Sequence, residues 1–302
     1  MRKLFVILLL TCSAFAASRV ECGKVPSKYV GQDVGYCALL PPSFAANKTE
    51  TFPILYLLHG LGDNEQTLIN SGIWNLVEDL QAQQKLGEFV IVTPAGGRSF
   101  YINAKASAPS AKSAKQRVFN YEDFFIKEFI PNIERKYHAG GSRSRRAIAG
   151  ISMGGFGALR TAFKYPQMFS AVAAHSAALI EKMPRGAENT PVGMILGSVF
   201  GSPFDPKYWE SQSPFAFAQS QSLANLRGLK IYFDCGDQDS YGFDAGARSL
   251  DALLTKRKVA HEFHIYPGGH DWPYFAAHLP ASLQFVSQAF AGKTASAHAA
   301  TK

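Results

Sequence analysis

A chain of 302 residues, 47 % hydrophobic and 18 % charged, has the length for one large α/β domain. Its formal net charge of +8 sits in loop clusters, Lys105, Lys112, Lys115 and Arg117 in one and Arg143, Arg145 and Arg146 in another. No basic face is interleaved with stacking aromatics, which argues against a nucleic-acid partner, and no segment beyond the first few residues is apolar enough to span a bilayer.

In chain order, residues 1–16 read as a signal peptide. Arg2 and Lys3 precede an apolar run over 4–10, and Ala14-Phe15-Ala16 supplies a cleavage site. That run is too short for a membrane anchor, so the expectation is a secreted or periplasmic protein without stable membrane insertion. Cys22 and Cys37 flank an N-terminal hairpin and can pair in an oxidising compartment, whereas Cys235 ends an apolar strand and reads as a buried free thiol. Short apolar runs at 54–58, 89–92, 146–149, 171–174, 229–233 and 262–266 alternate with helical patterns at 74–83, 121–136, 155–165, 244–255 and 273–289. This alternation predicts a mostly parallel sheet flanked by helices. Pro131 is expected to kink or break its helix. Residues 17–291 read as a single domain and 292–302 as a disordered tail. Two stretches, 98–120 and 183–224, read as long loops that wall a substrate pocket.

Gly150-Ile151-Ser152-Met153-Gly154 lies between the strand at 146–149 and the helix at 155–165. A G-x-S-x-G in that context is a nucleophile elbow, in which the glycines allow strand and helix to approach and push the serine hydroxyl into the open. A serine hydroxyl needs a base to take its proton and a third group to orient that base. Downstream, one strand runs into Asp234-Cys235-Gly236-Asp237-Gln238-Asp239 and the next into Gly268-Gly269-His270-Asp271-Trp272. Open α/β sheets place their sites at these carboxyl ends, and the order Ser, Asp, His fits. Asp234, Asp237 and Asp239 compete for the acid. Asp239 is favoured because it lies past the turn at Gly236, while Asp234 still belongs to the strand and reads as a turn cap. His270 is the base. His261 and His264 fall on opposite faces of a strand, which argues against a metal pair, and His138, His175 and His278 read as structural or exposed.

An oxyanion hole needs two backbone amides. Met153, next after the serine, supplies one, and Leu61 in the His59-Gly60-Leu61-Gly62 loop supplies the other, with His59 as a side-chain brace. Tyr101, Trp209, Trp272 and Phe275 are candidates for the floor of the substrate pocket. This chemistry calls for no metal and no cofactor.

Leu57-Leu58-His59-Gly60, Gly150-Ile151-Ser152-Met153-Gly154-Gly155, Asp234-Cys235-Gly236 and Gly268-Gly269-His270-Asp271-Trp272 together resemble the esterase D family of α/β-hydrolases. The family includes feruloyl and acetyl esterases of polysaccharide degradation, short-chain carboxylesterases, S-formylglutathione hydrolase and the mycolyltransferases. The similarity covers about residues 25–290. It implies Ser152 as nucleophile, Asp239 as acid, His270 as base, and the Leu61 and Met153 amides as oxyanion donors. The implied function is an exported serine carboxylesterase acting on short acyl or aryl esters, small or polysaccharide-linked. The alternatives are an acyltransferase passing the acyl group to a sugar or lipid hydroxyl, and an S-formylglutathione hydrolase-like thioesterase. The thioesterase would act on a cytosolic substrate that an exported chain does not meet. A non-catalytic binding protein on the same scaffold is disfavoured, because every chemical part is in place.

Overall fold

The computed structural model describes residues 19–46, 51–105, 119–183, 186 and 191–292. The signal peptide expected at 1–16 and the tail expected at 292–302, apart from Gly292, lie outside the described residues, as does 106–118 of the first long loop.

Among the described residues, eight strands form one sheet: β1 (Arg19–Val25), β2 (Val34–Leu40), β3 (Ile54–Leu58), β4 (Val90–Pro94), β5 (Arg146–Ile151), β6 (Ala171–His175), β7 (Lys230–Gly236) and β8 (Glu262–Tyr266). Their order is β1-β2-β4-β3-β5-β6-β7-β8, with β1–β2 and β2–β4 antiparallel and every later pair parallel. The apolar runs read from the sequence thus become the parallel strands, and the N-terminal hairpin caps one edge. Cys22 and Cys37 are directly opposed on β1 and β2 and are disulfide-bonded.

A strand covered on both faces must be apolar at every position, and β3 shows why. Ile54, Tyr56 and Leu58 feed one core while Leu55 and Leu57 feed the other. The first core is closed by Phe129, Ile130 and Ile133, by Phe156, Leu159 and Phe163, and by Ala247, Leu250 and Leu254. The second is closed by Ile73, Val77 and Leu80 and by Phe275, Leu279 and Val286.

Two expectations need adjusting. Pro131, expected to kink or break its helix, disturbs it without ending it. A five-residue π-turn at Phe125–Phe129 follows Tyr121–Phe124 and leads into Ile130–Tyr137, where Pro131 falls in the first turn. The wider turn comes just where the ring would meet the carbonyl four residues back and where an N–H is missing. Nor do the described residues of 183–224 form one long loop. It holds helices Pro191–Phe200, Pro206–Gln212 and Pro214–Ser220 and the start of Leu223–Arg227. Asp205, Ser213 and Ser222 accept backbone amides of the helices they precede. The prolines and serines that suggested a loop are first-turn and N-cap residues.

β5 passes into the helix Met153–Lys164 through Ser152, whose φ of 55° and ψ of −116° are costly for any side-chain-bearing residue. The packing around it over-determines the turn. A Cβ on Gly154 would stand 2.1 Å from the Leu58 carbonyl oxygen, and one on Gly150 would stand 2.3 Å from the Gly154 carbonyl. At the far end of the same helix Arg160 is fully buried against Glu122, 2.8 Å away. Burial by itself would raise the Glu122 pKa, but the Arg160 guanidinium and hydrogen bonds from Arg160, Lys164 and Tyr165 bring it down to about 2.

Three expectations follow from this packing. Glu122→Ala leaves a buried guanidinium uncompensated and is expected to cost about 3–5 kcal/mol in urea unfolding. In the wild type the Glu122 contribution is complete above the ordinary carboxylate range and is lost as pH falls through about 2, so the midpoint drops on acidification in that window. Gly154→Ala, with its methyl driven into the Leu58 carbonyl, is expected to lower stability by ~3 kcal/mol in the same experiment.

Candidate active site

Ser152 sits at the base of a cavity of about 300 Å³, together with Gly60, Leu61, Met153 and His270. Its amide donates to the His175 carbonyl at 2.9 Å, and its carbonyl accepts from Phe156 at 2.9 Å and Ala178 at 3.1 Å. The turn is therefore tied to β6 on one side and to its own helix on the other.

His270 and Asp239 come from the loops after β8 and β7. Those loops touch because Gly236 has no side chain: a Cβ there would lie 2.3 Å from the Gly268 carbonyl oxygen. Across that contact His270 Nδ1 lies 2.8 Å from Asp239 Oδ2. Asp239 Oδ1 accepts the Tyr241 amide at 2.9 Å, and the buried Cys235 thiol lies 3.5 Å from Oδ2. Burial would raise the Asp239 pKa, but the hydrogen bond from His270, the His270 charge, the Tyr241 amide and the thiol leave it below the ordinary value. An ionised carboxylate only accepts, so Nδ1 carries the proton and Nε2 is the free ring nitrogen. Tyr241, Phe243 and Phe275 meet the imidazole edge-on with centroids 4.8, 5.5 and 5.4 Å away.

The other two aspartates have different work. Asp237 accepts the Gly268 amide at 3.0 Å and so pins the histidine loop. Asp234 does not cap the turn. Its carboxylate points into the core, 2.8 Å from His175 Nδ1, and accepts from Tyr232 at 3.0 Å and Tyr274 at 2.8 Å. His175 Nε2 lies 2.7 Å from the Ser282 hydroxyl, and both residues are buried.

Leu61 and Met153 line the cavity on either side of Ser152. The loop carrying Leu61 is braced from within. His59 Nδ1 donates to the Gly60 carbonyl at 2.8 Å, its Nε2 accepts the Gly96 amide at 2.7 Å, and burial lowers its pKa. Both nitrogens are committed to the backbone, which holds the ring neutral.

Of the four aromatic candidates, Trp209, Trp272 and Phe275 line the cavity and Tyr101 does not. Phe100 takes its place. Successive positive φ values of 51° and 58° at Phe100 and Tyr101 turn the tyrosine inward, where its hydroxyl donates to the His59 carbonyl at 3.1 Å. Its ring fills the space above Gly96 and Gly157, where a Cβ would come within 2.5 and 2.6 Å of it. Asp63, Leu196, Tyr241 and Phe243 also line the cavity and had not been singled out from the sequence. Only Tyr241 and Phe243 carried a signal, as aromatics flanking Gly242 just beyond Asp239. His261 pairs with Asp251, and His278 stacks on Tyr266, both away from the cavity.

The geometry can be set beside known proteins. A family described as putative esterase matches residues 27–286. Esterase Rv1288 of Mycobacterium tuberculosis is 29% identical over 261 residues, covering 80% of this chain and 53% of that protein, so the chain spans about half the length of this relative. An acetyl esterase of Caldicellulosiruptor saccharolyticus is 25% identical over 282 residues, covering 87% of this chain and 96% of that one. A solved ferulic acid esterase superimposes with a TM-score of 0.75 at 30% identity, over 91% of this chain and 99% of that chain. The strand order, the Ser152 turn and the family match over 27–286 agree, and the chain belongs to this esterase family of α/β-hydrolases.

Proposed function

We propose that the protein is an exported serine carboxylesterase that hydrolyses short acyl or aryl esters through an acyl-enzyme. The observation that carries this reading is the Asp239–His270 pair opening onto the same cavity as the strained Ser152. Ser152 Oγ attacks the ester carbonyl as His270 Nε2 takes its proton, and Asp239 stabilises the imidazolium through Nδ1–H. The carbonyl oxygen becomes an oxyanion between the Leu61 and Met153 amides, a form of stabilisation in which each donor is worth roughly 2.7–4 kcal/mol. His270 then returns the proton to the leaving alkoxide, leaving Ser152 acylated. Water enters, is deprotonated by the same nitrogen, and releases the acid and the free serine.

The cavity bears on the substrate. Its volume of about 300 Å³ and its aromatic wall suit a compact acyl group or a single aromatic ring rather than a long lipid chain. The similarity to proteins named acetyl esterase and ferulic acid esterase supports the same range. The Cys22–Cys37 disulfide supports export, because such bonds persist in oxidising compartments.

Ser152→Ala is expected to reduce hydrolysis of 4-nitrophenyl acetate and methyl ferulate below about a thousandth of wild type. Asp239→Asn, which offers His270 the wrong tautomer, is expected to cost on the order of 10³–10⁴ in turnover. A fluorophosphonate probe should add its mass to the wild type at Ser152 and leave Ser152→Ala unmodified. Labelling at another serine would assign the nucleophile elsewhere.

A further inference from the structure

Asp63 is the one carboxylate among the described residues that line the cavity. A Cβ on Gly60 would stand 3.1 Å from Asp63 Oδ2 and 3.7 Å from the Ser152 Cβ, so carboxylate and serine face one another across the bare Cα of Gly60. None of the ion pairs among the described residues includes Asp63. Its facing titratable neighbour, His59, is locked neutral between two backbone groups, and the Gly60 amide is the donor to its carboxylate. Asp63 is half-buried, which raises its pKa and also means that water screens its charge poorly. Every other lining group is apolar or formally neutral except His270 when it takes up a proton.

A cavity of about 300 Å³ is on the order of 8 Å across, so any charge that a substrate brings in lies within reach of this carboxylate. Tyr241, 66% exposed beside His270, adds a ring face that attracts cations.

Building on the esterase reading, we propose that Asp63 is a specificity residue that sets the sign of charge the cavity accepts, favouring esters with a positive group near the scissile bond and refusing those with a negative one. The chemistry of the bond is unchanged; an ester and water give an acid and an alcohol in every case.

Three acetate esters of similar shape test this: acetylcholine, the uncharged 3,3-dimethylbutyl acetate, and the acetate of 2-hydroxyethanesulfonate. Acid release is titrated at pH 8 and low salt. The wild type is expected to show kcat/KM about tenfold higher for the cation than for the neutral ester and about tenfold lower for the anion. In Asp63→Asn the cation-to-anion ratio should collapse to within about threefold. A ratio that survives the substitution overturns the proposal. If Asp63→Asn does not fold, the wild-type ratio is compared at 20 and 500 mM salt. Contraction at high salt supports the charge filter, and a constant ratio overturns it. Turnover of all three esters with no dependence on charge sinks the role of Asp63 alone. Failure of the wild type to hydrolyse any of them, or 4-nitrophenyl acetate, sinks the esterase reading together with it.

Discussion

The contact between the first turn of the helix Met153–Lys164 and the end of β3 is the constraint on which the rest of the site depends. At Gly154 the helix backbone rests directly on the Leu58 and His59 carbonyls, with no room for a methyl group between them. That closeness brings the turn at Ser152 beside the loop at Gly60 and Leu61, two segments from different strands. The cost of the Ser152 backbone is borne by packing around it, through Gly150, Gly154, Gly155 and the His175 carbonyl. The buried Arg160–Glu122 pair holds the other end of the helix, so the helix is fixed at both ends.

The molecule carries a second serine, histidine and aspartate in line. Ser282, His175 and Asp234 repeat the residue types of the site, with His175 2.7 Å from the Ser282 hydroxyl and 2.8 Å from the Asp234 carboxylate, yet they are sealed in the core. Their setting explains the difference. Tyr232 and Tyr274 occupy Asp234, and the Ser282 hydroxyl is spent on the Leu279 carbonyl. The buried set links the two halves of the site instead: the His175 carbonyl holds the Ser152 amide, and Tyr274 lies in the helix that begins just after His270. Access, more than composition, separates the sealed set from the one whose serine and histidine line the cavity.

Much of this was legible in the sequence, because short apolar runs mark the parallel strands at the centre of the sheet, and Ser152, Asp239 and His270 each follow a strand. Asp239 could be preferred over Asp234 because a residue past a glycine turn is free to swing, while a strand residue must point to one face or the other; here Asp234 points to the core. What was not legible depended on tertiary context. The residues 191–227 have the composition of a loop, and only their positions show the prolines and serines as helix starts. Pro131 is tolerated because the preceding turn widened, a change no local propensity encodes. Tyr101 and Phe100 exchanged places because two successive left-handed residues reverse which side chain looks outward. Asp63 looks like an ordinary loop aspartate until the shape of the cavity is known.

The serine and the histidine ride on parts of the sheet with unequal protection. Ser152 extends the central β5, paired on both sides, whereas His270 hangs from β8, which among the described residues pairs only with β7 and is half-buried at every position. A strand with one partner has fewer bonds to break on opening than a strand with two, so the loop of His270 is expected to loosen on warming before the turn of Ser152. The temperature up to which the two stay together would then be set by the last strand of the sheet rather than by its core.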